Sequence, residues 1–121
     1  MNTLLIAILS ILLSVAAQFS LKQGMSGNAV RAALTQPFTM GTAITVLTDK
    51  FVMGGFVLYG VGAVVWLAVL SKWDVSRAYP LVGLGFVFTM LVGFMLGEQV
   101  TLLRALGVTL VCAGVFLIAR G

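Results

Sequence analysis

The sequence predicts an all-α membrane protein with four transmembrane helices. Three observations carry that prediction. Of the 121 residues, 61% are hydrophobic and only 8% are charged, whereas soluble domains average about 45–50% apolar and about 25% charged. A chain this small cannot hide so much apolar surface in a core of its own, so lipid must cover it. Four apolar runs approach the roughly 20 residues that a helix needs to cross a bilayer, and the charges fall between the runs or at their ends. This composition excludes a soluble globular protein, a disordered chain and a nucleic-acid-binding domain. Seven Lys and Arg against three Asp and Glu give a net charge of +4. The cations are scattered rather than clustered, which suits anionic lipid headgroups better than a polyanion. By length the chain is one domain, residues 1–121.

The first run extends from Thr3 to Leu21 and is uncharged until Lys22. Ser14-Val15-Ala16-Ala17 has the small residues of a leader-peptide cleavage site. No Lys or Arg precedes the apolar stretch, however, as a leader normally requires, so the run is read as a retained span. The stretch Gln23 to Lys50 differs. Gly24, Ser26, Gly27 and Asn28 break the helix. Asn28 is placed to cap a short helix over Ala29–Gln36, which Pro37 ends. Thr39–Thr48 carries Met40, Ile44 and Leu47 at helical spacing but is too short and Thr-rich to span. It reads as an interfacial helix or a bent lead-in to the second span, and alternatively as the start of one long second helix. The second span runs from Phe51 to Leu70, the third from Ala78 to Leu96. The fourth runs from Ala105 to Ala119, borrowing Leu102 and Leu103 and leaving Arg104 to snorkel.

Four spans place Lys72, Arg77 and Arg120 on one side of the membrane and Lys22, Arg31, Lys50 and Arg104 on the other. Three cations against four decide no orientation. Either other signals orient the chain, or it inserts both ways and pairs as an antiparallel dimer, as inverted repeats do in transporters. Gly107 and Gly114, seven apart on one face of the fourth span with Leu110 between them, are the expected dimer seam, because small residues let helix backbones meet.

Ser10, Ser14, Gln18 and Lys22 follow at intervals of four and so share one face of the first span. A polar stripe in a membrane helix faces another helix or a wet cavity. The plainer reading is helix–helix hydrogen bonding for the first three and snorkelling for Lys22. The functional reading makes Ser14, Gln18 and Lys22 a substrate path from the bilayer centre to its surface. Trp66 lies deep in the second span, with Tyr59 seven residues earlier on the same face. Arg77 and Tyr79 open the third span beside Pro80, where Gly83 and Gly85 allow a helix or ligand to come close. For these residues packing and membrane anchoring are the plainer readings, substrate binding the functional one. No His, a single Cys112 and three separated acids leave no common zinc or di-metal set. No phosphate-binding loop is present, so neither metal, cofactor nor catalytic activity is expected.

These residues carry a resemblance. Leu12-Leu13-Ser14-Val15-Ala16-Ala17-Gln18 followed by Lys22-Gln23, then Ala78-Tyr79-Pro80-Leu81, Gly97-Glu98 and Gly107…Cys112-Ala113-Gly114-Val115, resemble the small EamA-type proteins of the drug/metabolite transporter superfamily. They are most similar to the aminoarabinose-lipid flippase subunits ArnE and ArnF, and more distantly to the small multidrug resistance transporters. Gln23–Lys50 looks longer than in either group. The small multidrug exporters carry a membrane-embedded Glu for protons and cationic drugs; the matching position here is Ser14, and no acid lies within a span. A desolvated cation needs an opposite charge in the membrane, so that site is missing.

The resemblance implies a flippase of the bacterial inner membrane for a polyprenyl-phosphate-linked sugar of the undecaprenyl phosphate class. Ser14 and Gln18 would bind the headgroup and Lys22, with Arg77 and Arg31 as helpers, its phosphate. The protein would work as a homodimer or paired with a paralogue. The alternatives are a small-molecule exporter lacking the usual Glu, and an accessory subunit of a heterodimeric transporter.

Overall fold

The computed structural model describes residues 2–121. Helix α1 spans Thr3–Met25, α2 Asn28–Leu34, α3 Met40–Thr48, α4 Lys50–Leu70, α5 Val75–Ala78, α6 Leu84–Met95 and α7 Leu102–Arg120; a 3₁₀ segment, Tyr79–Gly83, joins α5 to α6. Among the described residues, four helical stretches are long and apolar enough to cross a membrane: α1, α4, the composite Val75–Met95, and α7. They match the four expected spans; the starts of the last three and the ends of the first and fourth lie a few residues further out, and the third ends at Met95 rather than Leu96.

The helix ends follow from local chemistry. The Asn2 side chain accepts from the Leu4 N–H at 2.9 Å and starts α1. At α2 the expectation needs correction. Asn28 is the first helical residue, not the cap; Gly27 occupies the cap without a side-chain bond, and the helix stops at Leu34, before Gln36. Thr39 starts α3 through a reciprocal box with Thr42. Asp49 then settles whether the second span begins at Thr39 or later. Its backbone is extended, with ψ 134°, and its carboxylate accepts from the Phe51 and Val52 N–H groups at 2.9 and 3.2 Å. The chain therefore bends at Asp49, and α3 is a separate lead-in. Between α1 and α4 there are thus two short helices, α2 on the segment expected over Ala29–Gln36 and α3 on the interfacial segment Thr39–Thr48. The third span is not one regular helix. Pro80, which has no N–H to give, sits in the first turn of the 3₁₀ segment.

The most extensive helix pair is α1 with α4. Two glycines of α4 make it close. A Cβ at Gly55 would lie 2.7 Å from the Leu21 side chain and 3.1 Å from the Ala17 carbonyl oxygen; one at Gly62 would lie 3.3 Å from Leu13 Cβ. Gly83 likewise receives Val111 and Val115 of α7, and Gly85 receives Ile11 of α1. Both glycines admit a neighbouring helix, and Gly85 also lines the larger cavity of the molecule. The core they enclose is built of small aliphatics: Ala7, Ile11, Val15, Val69, Ala78, Leu81 and Val115. In contrast, nothing lies within 4 Å of a Cβ placed on Gly107 or Gly114, and Leu110 is 73% exposed. The α7 face expected to form a dimer seam is open in the single chain.

Candidate functional site

A cavity of about 700 Å³ lies between α1, α4 and the composite third span. α1 contributes Ser10, Ser14 and Gln18, each one helical turn from the last. α4 contributes Tyr59, Gly62 and Trp66, and the third span contributes Tyr79, Phe86 and Thr89. From Tyr59 to Leu67 the α4 wall rises about 12 Å. The volume falls in the range of about 300–1,000 Å³ usual for small-ligand sites.

Each polar side chain of α1 has a definite partner. The Ser10 hydroxyl, buried, donates to the Gly62 carbonyl oxygen across the helix pair at 2.7 Å. Gly62 has no side chain in the way, so the backbones come close enough for that bond. Ser10 is therefore helix–helix glue. The Ser14 hydroxyl donates back to the Ser10 carbonyl oxygen at 3.1 Å, which leaves its oxygen lone pairs toward the cavity. The Gln18 amide N–H donates to the Tyr59 hydroxyl oxygen at 2.8 Å. Tyr59 keeps its own O–H and Gln18 its carbonyl oxygen for a further partner. The sequence shows Tyr59 only as a same-face neighbour of Trp66; its pairing with Gln18 needs α1 and α4 to be docked, which spacing within one helix cannot reveal.

Four of the six residues expected to bind substrate, Ser14, Gln18, Trp66 and Tyr79, line this one cavity. The other two do not. Lys22 is exposed in the last turn of α1, about 6 Å of rise beyond Gln18 and past the lining. Arg77 places its guanidinium 4.6 Å from the Trp73 ring centre, a cation–π stack that anchors the start of the third span. Arg31 lies on α2 and is likewise outside the lining. Thr89, not singled out in the sequence, joins the site because it falls one turn after Phe86 on the same face of α6.

The lining contains no Lys, Arg, Asp or Glu. An uncharged wall of hydroxyls, an amide and aromatic faces offers hydrogen bonds in both directions and stacking surfaces. It offers no counter-charge to a desolvated cation. Such a wall complements a neutral, hydroxyl-rich group. Among the described residues no group of His, Cys, Asp or Glu could hold a metal ion.

Residues 7–119 match the family model described as putative transmembrane family 234. The chain is 40% identical over 93 residues to the uncharacterized protein y4nH of Sinorhizobium fredii, covering 75% of this chain and 77% of that one. It is 45% identical over 62 residues to a probable 4-amino-4-deoxy-L-arabinose-phosphoundecaprenol flippase subunit ArnE of Pseudomonas savastanoi, covering 50% and 54%. To a probable ArnF subunit of the same flippase from Photorhabdus laumondii it is 38% identical over 72 residues, 57% of each chain. The chain thus spans about half the length of the ArnE and ArnF relatives it matches. No solved structure matches it.

Proposed function

We propose that this chain, which belongs to putative transmembrane family 234, is a transporter subunit rather than an enzyme and moves a polyprenyl-phosphate-linked sugar across the bacterial inner membrane. The observation that carries this reading is the uncharged, hydrogen-bonding cavity between α1, α4 and the third span. Its chemistry fits a sugar, and the names of the ArnE and ArnF relatives point to a sugar on phosphoundecaprenol; the amine in those names finds no counter-charge in this wall, so the sugar moved here is a neutral one. Ser14, Gln18 and Tyr59 bind sugar hydroxyls and Trp66 stacks on the ring, with Tyr79 at the far mouth. The prenyl chain stays in lipid. Lys22, one turn past Gln18, meets the phosphate at the membrane surface by a charge-assisted bond. With no carboxylate in the cavity wall to carry protons, the headgroup gradient drives transport. The working unit is a dimer, with itself or with a paralogue.

The test is transfer of lipid-linked sugar across reconstituted vesicles, run beside uptake of a soluble organic cation. A charge-assisted bond is worth about 1.5–3 kcal/mol, so Lys22→Ala lowers sugar-lipid transfer roughly tenfold or more. Lys22→Arg keeps part of it, since one phosphate needs charge more than shape. Full transfer in Lys22→Ala removes the phosphate role. Cation uptake without any lipid transfer replaces the flippase by a small-molecule exporter.

A further inference from the structure

A second cavity, of about 400 Å³, opens between α6 and α7 at the opposite end of the third span from Tyr79. Its rim carries two opposite charges, Glu98 and Arg104. Its inner wall is apolar, with Phe86, Met90, Val108 and Val111.

Local structure holds both charges in place. Gly97, at φ 90°, closes α6 in a Schellman arrangement: its N–H reaches the Phe94 oxygen at 3.1 Å and the Glu98 N–H reaches the Gly93 oxygen at 2.8 Å. That turn folds the Glu98 carboxylate over Gly93, where a Cβ would lie 3.2 Å from Oε1. Arg104 projects from the first turn of α7, whose start is set by the Thr101 side chain accepting from the Arg104 N–H at 3.2 Å. Its guanidinium donates to the Gln99 carbonyl oxygen at 2.8 Å. One of five N–H donors is thereby used and the rest are free for a ligand.

We infer that this α6–α7 cavity binds a bilayer phospholipid whose headgroup carries both an amine and a phosphate. The ammonium group meets Glu98, the phosphate meets Arg104, and an acyl chain lies along the apolar wall. The rim stands where two apolar helices end, at headgroup level, while the wall runs down to acyl depth. Met95 and Leu96, shortly before Glu98 in the chain, and Leu102 and Leu103, just before Arg104, are all exposed, so a lipid in the bilayer reaches the site sideways. A purely anionic headgroup would satisfy Arg104 but be repelled by Glu98. The site uses none of Ser14, Gln18, Tyr59 or Trp66; it shares Phe86 and Thr89 with the larger cavity and Gly107 with the open α7 face.

Native mass spectrometry of the full chain in detergent micelles tests this with dioctanoyl phosphatidylethanolamine and dioctanoyl phosphatidylglycerol as probes. The wild type binds the amine lipid about tenfold more tightly than the anionic one. Glu98→Gln removes that preference by weakening the amine lipid alone, and Arg104→Gln weakens both. Exchanging the charges, Glu98→Arg with Arg104→Glu in one chain, restores the preference and guards against a single variant that folds poorly. Equal binding of the two lipids by the wild type, or a preference that survives Glu98→Gln, overturns the assignment. So does displacement of the amine lipid by equimolar undecaprenyl phosphate bearing a 4-amino sugar, which would give the cavity to a transport substrate instead. Loss of sugar-lipid transfer with the lipid preference intact would count against the flippase alone.

Discussion

Gly24 shows how much one residue can hold in so small a protein. It sits where α1 ends and α4 begins, and a Cβ there would fall 2.6 Å from Val52 Cγ2, 2.7 Å from Asp49 Oδ1 and 2.8 Å from the Val52 backbone nitrogen. The last of these cannot swing aside as a side-chain tip can. Gly24→Ala therefore forces the two helix ends apart or displaces the Asp49 cap, a cost of about 1–3 kcal/mol of the kind seen for overpacking. Thermal unfolding in detergent should show a clear drop in midpoint. An unchanged midpoint would mean that the α1–α4 junction yields more easily than its geometry suggests. In the sequence Gly24 reads only as a helix breaker, because the atoms that crowd it lie about 25 residues further along the chain. The same limit applies along α1. The spacing of Ser10, Ser14, Gln18 and Lys22 reveals a polar face, and three of the four do line the cavity. It cannot say that the Ser10 hydroxyl is taken by Gly62 or that Gln18 meets Tyr59, since both partners belong to α4.

The spans were legible because apolar run length is a property of the chain itself, and so was the short-helix character of residues 23–50. What was not legible was where that segment bends. Asp49 is a favourable cap, but it follows Thr48 and precedes Lys50 without a glycine or proline to mark a break, so a continuous helix from Thr39 was an open alternative. At Gly27-Asn28 the usual preference for a side-chain cap pointed to the wrong residue. The glycines of α4 show the same gap at the level of a helix pair. Gly55 and Gly62 have the seven-residue spacing of Gly107 and Gly114, yet the first pair packs within the chain and the second is open. Spacing reveals that a face is smooth; docking decides which helix uses it. The open α7 face is the surface on which a second subunit is proposed to sit. Replacing Gly107 and Gly114 together by Leu puts two bulky side chains where backbones would meet. Crosslinking in native membranes should then show most of the dimer lost while the monomer stays folded. An undiminished dimer band would move the interface off α7.

At the scale of the whole molecule, one end carries Lys22, Asp49, Glu98 and Arg104, the other Lys72, Asp74 and Arg77, and the cavity wall between them is free of Lys, Arg, Asp and Glu. A charge-free middle between charged ends suits cargo whose sugar crosses by exchanging neutral hydrogen bonds while its phosphate is met at a surface. That arrangement was half visible in the sequence. The absence of an acid within any span argued against cationic drugs, but Lys22 and Arg77 could be assigned to the cavity only while helix rotation and the Trp73 stack were unknown. In the proposed transport cycle the sugar headgroup passes through the cavity lined by Ser14. Protection of that position by substrate tests it most directly. With Cys112→Ala removing the native thiol, Ser14→Cys places a small reactive group at the cavity wall, and its rate of labelling by a bulky thiol reagent is measured in vesicles with and without the undecaprenyl-phosphate-linked sugar. The lipid-linked sugar should slow labelling severalfold, undecaprenyl phosphate alone should slow it far less, and the labelled protein should no longer transfer the lipid. Equal labelling rates with and without the sugar lipid, together with full transfer by the labelled protein, would mean that the headgroup does not pass Ser14.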